Sequence, residues 1–101
     1  MYGLSDTTIN DLRNVFGKFP NIKKVVIFGS RAKGNYHEGS DIDLAAIGDG
    51  ISRELLSDVY MRIEDLGLLY KVDILDYNKY KDTPIGEHIK RVAKPFYENI
   101  K

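Results

Sequence analysis

The sequence contains no cysteine. That excludes a disulfide framework, a thiol nucleophile and a cysteine-ligated zinc site, and a reducing cytoplasm is the expected setting. Long apolar runs are also missing. None approaches the ~20 residues needed to cross a bilayer, so no membrane attachment is expected. Tyr2 to Thr8 is polar and does not read as a secretion signal. A surplus of positive charge is absent too. Lysine plus arginine number 15, aspartate plus glutamate also 15, and the pI is near 6.7. Proteins that grip nucleic acid without sequence preference draw their affinity from neutralising phosphates. Extensive nucleic-acid binding is therefore not expected, although a local basic patch is compatible with this balance. There are no internal repeats, low-complexity tracts or linkers. The 101 residues, 43% of them hydrophobic, fit one domain over 1–101 with a real core.

Apolar spacing predicts the elements. Ser5 or Asp6 can cap a first helix whose apolar face is Ile9, Leu12, Val15, Phe16 and Phe19, and Pro20-Asn21 breaks it. Lys23 to Phe28 is a β-branched run, read as a buried strand. Gly29 to Ser40 is polar and glycine-rich, read as an active loop with a helical turn. Asp41 to Ile47 is the second strand, and Gly48-Asp49-Gly50 is a turn. Ser52 can cap a helix striped by Leu55, Leu56, Val59, Ile63 and Leu66, which Gly67 can end. Leu69 to Leu75 reads as a third strand. A last helix starts at Pro84, with Ile85, Ile89, Val92 and Phe96 as its stripe; Pro95 should kink or end it near Lys94. The fold class is α/β (α+β), with a small mixed sheet of three strands or slightly more and helices packed against it. Strands one and two, joined by a loop, are expected to pair antiparallel. Strands two and three, joined through a helix, are expected to run parallel. Both pairings bring the end of strand one and the starts of strands two and three to one edge.

That edge gathers the chemistry. Asp41 and Asp43 are two apart on a strand and so share a face. Carboxylates about 7 Å apart along a strand repel each other unless a cation lies between them. Magnesium prefers such oxygen ligands and keeps positions open for substrate phosphates. A pair of these ions about 4 Å apart can clamp both oxygens of a phosphoryl transfer. Asp73, between Val72 and Ile74, is expected beside Asp43. Gly29-Ser30 ends strand one at the same edge, where glycine allows phosphate close to the backbone and Ser30 offers a hydroxyl. Arg31 and Lys33 can neutralise phosphate charge, and Ser40 can donate a hydrogen bond. Taken singly, each residue has a plainer reading. An Asp-x-Asp is often a solvated turn, Ser30 a helix cap, Lys33 a loop charge, and His37 with Glu38 an exposed pair with no partner histidine. Tyr77 and Tyr80 read as packing before they read as base-stacking groups.

Gly29-Ser30, ten residues, then Asp41-Ile42-Asp43 resembles the Gly-Ser…Asp-x-Asp signature of the DNA polymerase beta-like nucleotidyltransferase superfamily. Ile27 to Leu44 (IFGSRAKGNYHEGSDIDL), Val72 to Leu75 (VDIL) and His88 to Glu98 (HIKRVAKPFYE) are similar to its minimal members, the MNT domains. The resemblance covers nearly the whole chain. It implies the nucleotidyltransferase fold, with Asp41 and Asp43 holding two magnesium ions. It implies further that Asp73 completes one metal site and that Gly29 and Ser30 bind the triphosphate, ATP. Minimal members are often antitoxins paired with a helical HEPN toxin, and some transfer AMP to a tyrosine of that partner.

The expected function is transfer of a nucleoside monophosphate, AMP from ATP, to an acceptor hydroxyl. A chain this small has no second domain to grip a template or enclose a small acceptor. A partner chain, in a homo- or hetero-oligomer, would have to complete the acceptor site. The alternative is a non-catalytic nucleotide-binding module that neutralises a partner by contact. Nucleotidyl transfer to an aminoglycoside or other small molecule is a third reading, weakened by the missing acceptor domain.

Overall fold

The computed structural model describes residues 1–99, so the last two positions of the expected 1–101 domain lie outside the described residues. Nine elements follow in order: α1 (Asp6–Gly17), β1 (Ile22–Phe28), α2 (Gly29–Lys33), β2 (Ile42–Gly48), α3 (Arg53–Asp65), β3 (Val72–Asp76), α4 (Tyr77–Tyr80), α5 (Pro84–Val92) and β4 (Lys94–Glu98). Hydroxyl caps start the three longer helices. Ser5 accepts the N–H of Thr8, Ser52 that of Leu55, and Thr83 that of Gly86 just after Pro84 at the helix start. Each satisfies an amide that the first turn would otherwise leave unpaired. Among the described residues no helix is long and apolar enough to cross a membrane.

The four strands form one mixed sheet in the order β3-β2-β1-β4. β2 pairs antiparallel with β1 and parallel with β3, as the connection lengths require. Alternation along the strands divides the side chains between two unequal faces. Val25, Ile27, Ile42, Leu44, Val72 and Ile74 join the large core built with α1 and α3. Val26 and Ala45 face the other way and form a small core with Ile89 of α5. Asp43 and Asp73 alternate with Ile42, Leu44, Val72 and Ile74, and so lie on this thinly covered face.

Three sequence expectations are corrected. The C-terminal helix stops at Val92, and Lys94–Glu98 is a fourth strand against β1. Proline cannot donate in a helix and pushes Lys94 out of helical geometry, while an edge strand tolerates it. Phe96, expected on a helix stripe, is buried beside the rings of Phe16 and Tyr2 instead, and Ile85 is exposed. The third strand begins at Val72 rather than Leu69, because β2 offers no partner before Ile42. Leu69 is 99% exposed in the preceding loop. Finally, α1 ends at Gly17, so Phe19 packs on the core from the turn after it.

Side chains occupy backbone groups on both sheet edges. The Tyr60 hydroxyl accepts the N–H of Ile74 at 2.7 Å and donates to its carbonyl at 3.1 Å. On β4, Arg13 donates to the Phe96 carbonyl at 2.8 Å and Tyr2 to the Pro95 carbonyl at 2.6 Å. Tyr60→Phe leaves both polar groups of Ile74 without their protein partner. Urea unfolding should show a loss of about 1–3 kcal/mol with an unchanged denaturant slope. An unaltered midpoint would show that water replaces the hydroxyl without cost.

Candidate active site

Phe28 of β1 lies opposite Asp43, and Asp43 lies opposite Asp73. One row across the sheet thus holds the end of β1 and two of the three acids. Asp41 stands one residue ahead of β2 and is exposed. Asp43 and Asp73 are half-buried. Burial, then the charges of Asp73 and Asp41, push the Asp43 carboxyl above its ordinary range, and the nearby Lys71 ammonium offsets part of this. Lys71 Nζ lies 3.9 Å from Asp73 Oδ2.

Gly29 has φ +75°, and a β-carbon there would collide with Asp43 Oδ2. The positive φ is what favours glycine here, and the movable Asp43 carboxylate occupies the space that a β-carbon would take. Ser30, His37, Gly39, Ser40, Asp41 and Asp43 line an open concavity of about 440 Å³. Ser40 is buried, and its Oγ accepts the N–H of His37 at 3.0 Å, leaving its own O–H as a donor. A larger concavity of about 1030 Å³ lies between α1 and β4. It contains none of the clustered acids, so chemistry assigns the site to the smaller one.

Arg31 departs from expectation. It is 2% exposed, and its guanidinium donates to the backbone carbonyls of Tyr2, Glu38 and Ser40 at 2.9–3.3 Å. Its planar face lies against the rings of Tyr36 and Tyr70. It is an internal tie and not a free phosphate ligand. Lys33 is exposed at the end of α2 and does not line the concavity. His37 and Lys71 are the neighbours that sequence reasoning did not place at the site. His37 has no second histidine near it in the sequence to mark it, and Lys71 carries no motif.

The donor set fits magnesium in kind: hard carboxylate oxygens, with hydroxyls alongside. Among the described residues no three acidic or histidine side chains already converge as a metal cage. Magnesium often takes only one or two carboxylates and completes its shell with phosphate oxygens and water, so this openness agrees with the ion's habits.

A family profile described as polymerase beta, nucleotidyltransferase, matches residues 10–101. A Methanocaldococcus jannaschii protein provisionally named a protein adenylyltransferase is 57% identical over 28 residues, 28% of each chain. The match thus spans little more than a quarter of that relative. In overall shape the chain is similar to a toxin–antitoxin crystal structure with AMP-PNP, with TM-score 0.71, 20% identity, and 96% of this chain and 76% of that one covered. It is also similar to a structure described as tri-AMPylated Shewanella oneidensis HEPN toxin in complex with MNT antitoxin, with TM-score 0.68, 15% identity and coverages of 95% and 74%. At these identities the likeness is one of fold.

Two outcomes follow. Gly29→Ala should cost about 1–2 kcal/mol from the left-handed backbone alone, plus the collision with Asp43. In an Asp43→Ala background the collision is relieved, so a double-mutant cycle in urea should give a smaller cost there; equal costs in both backgrounds would show that the carboxylate does not rest on Gly29. Asp43→Asn should stabilise the metal-free protein at neutral pH. A carboxyl with a raised folded-state pKa binds its proton more tightly in the fold, so stability falls as pH rises through that range. The advantage of the variant should vanish below the ordinary carboxylate range. A pH series of urea midpoints checks this, and an advantage independent of pH would reject it.

Proposed function

Because the chain belongs to the polymerase beta nucleotidyltransferase family, we propose that it transfers AMP from ATP to an acceptor hydroxyl, with Asp41, Asp43 and Asp73 as its magnesium ligands. The observation that carries this reading is the side-by-side register of Asp43 and Asp73 next to the serine-lined concavity. Magnesium supplies charge stabilisation and alignment of the attacking and leaving oxygens. Asp41 and Asp43 contribute the carboxylates nearest the concavity. Ser30 and Ser40 offer hydroxyl donors to the triphosphate, and Gly29 keeps the β1 end low enough for phosphate to approach. Asp73, half-exposed at the far side of Asp43, takes the proton of the attacking hydroxyl. The acceptor oxygen bonds to the α-phosphorus, the bond from that phosphorus to the bridging oxygen breaks, and pyrophosphate leaves with the electron pair.

The acceptor in this reading is a tyrosine of a HEPN-type helical partner, and the chain acts as the antitoxin of that pair in the cytoplasm. A structural relative is described in complex with an AMP-modified HEPN toxin. The zero net charge leaves little attraction for a polyanionic acceptor. The second reading is a nucleotide-binding module that neutralises its partner by contact, without chemistry.

Incubation with α-labelled ATP, magnesium and a lysate of source cells separates the two. The first reading expects a labelled protein, absent with Asp41→Ala/Asp43→Ala. An unlabelled partner still neutralised by the double variant would establish the second. Within the first reading, Asp73→Asn should lower the single-turnover rate by about 10²-fold or more while ATP affinity stays within a few-fold. A normal rate with poor affinity would move Asp73 from proton transfer to nucleotide binding.

A further inference from the structure

Arg31 is the largest side chain fully enclosed in the fold. Among the described residues its charge has no carboxylate within ion-pair distance. A buried charge without a counter-charge is costly, and backbone carbonyls and aromatic faces offset that cost here. What those partners share is their place in the chain. Nε and one terminal nitrogen both donate to the Ser40 carbonyl, at 3.0 and 2.9 Å, immediately before Asp41. The same terminal nitrogen reaches Glu38, and the other donates to Tyr2 at 2.9 Å. The guanidinium carbon lies 4.9 Å from the centre of the Tyr70 ring, three residues before Asp73. Arg31 itself follows Gly29 and Ser30 in α2. One rigid planar group therefore touches the approach to β2 and the approach to β3 from the turn that ends β1.

We propose that Arg31 is a positioning residue for nucleotidyl transfer, holding the approaches to β2 and β3 in one geometry so that the backbone carrying Asp41, Asp43 and Asp73 is set before any ion draws their carboxylates together. The proposal rests on the reading of those acids as a magnesium site. Lysine cannot do this work. It keeps the charge but loses the fork that grips one carbonyl twice and the plane that lies between Tyr36 and Tyr70. Groups one shell behind metal ligands set ligand orientation, and their loss commonly costs about 10–100-fold in metal affinity.

Calorimetry with Mn²⁺ alone on wild type, Arg31→Lys and Val15→Ala tests it, with circular dichroism as the check on folding. Val15 is a core residue of α1 away from the acids and controls for general loss of stability. A folded Arg31→Lys should bind Mn²⁺ about 10–100-fold more weakly, and Val15→Ala should bind as wild type does. In turnover, Arg31→Lys should need more magnesium and show a lower kcat, with KM for ATP at saturating metal nearly unchanged. If Arg31→Lys does not fold, Tyr70→Leu removes one aromatic face while the backbone carbonyls still hold the guanidinium, and should weaken Mn²⁺ binding several-fold. Wild-type Mn²⁺ affinity in whichever of these variants folds, or an equal loss in Val15→Ala, overturns the positioning role alone. No Mn²⁺ binding by the wild type would overturn the metal reading and this proposal with it.

Discussion

Hydrogen-bonded pairing of β2 with β1 on one side and β3 on the other puts Phe28, Asp43 and Asp73 in one row. A slip of one residue in β2 would turn Asp43 into the large core and put Ile42 and Leu44 outside it. Both of those side chains are fully buried, each contributing about 1.5–3 kcal/mol. Against that, the repulsion among exposed and half-exposed carboxylates is weakened by the high dielectric of water. Apolar packing therefore decides the register, and the acids are carried to the sheet edge by residues that never touch them. The same packing presses Asp43 against Gly29, which links the end of β1 to the acid pair without a hydrogen bond.

Two opposite treatments of charge meet beside Ser40, whose carbonyl takes the Arg31 donors immediately before Asp41. Three acids are left near the surface with Lys71 as their nearby cation. Arg31 is buried, with carbonyl oxygens and tyrosine faces around it. Had the guanidinium met the carboxylates, a bidentate pair would have neutralised them. Spending its donors on the backbone leaves the negative charge of the site available to a cation.

The placement of the candidate acids was largely legible in the sequence because period-two alternation reports sides. Asp41 and Asp43 flanking a core isoleucine, and Asp73 between Val72 and Ile74, could face only away from the core. The antiparallel and parallel pairings followed from loop length and from the intervening helix. Arg31 was not legible, since a basic residue after Gly-Ser reads as a phosphate ligand until tertiary packing shows where its donors go. Phe96 misled for a related reason. Its spacing from Val92 suits a helix stripe, while alternation within Lys94–Glu98 suits a strand equally well, and Pro95 decides between them through backbone geometry. Leu69 misled because an apolar residue next to a strand looks like more strand, although β2 has no residue left to pair with it.

The side-chain cover on both sheet edges reaches beyond the stability of one molecule. An open edge is a template on which another chain can add its own backbone, and a small sheet with two such edges can polymerise from either side. Here Tyr60 occupies both polar groups of Ile74, Arg13 and Tyr2 occupy carbonyls of β4, and Pro95 has no N–H to offer. Sibling chains emerging together from one message at high local concentration find little backbone to zip onto. Recognition of another protein is thereby shifted toward side chains, whose chemistry can tell one surface from another as a row of amides cannot.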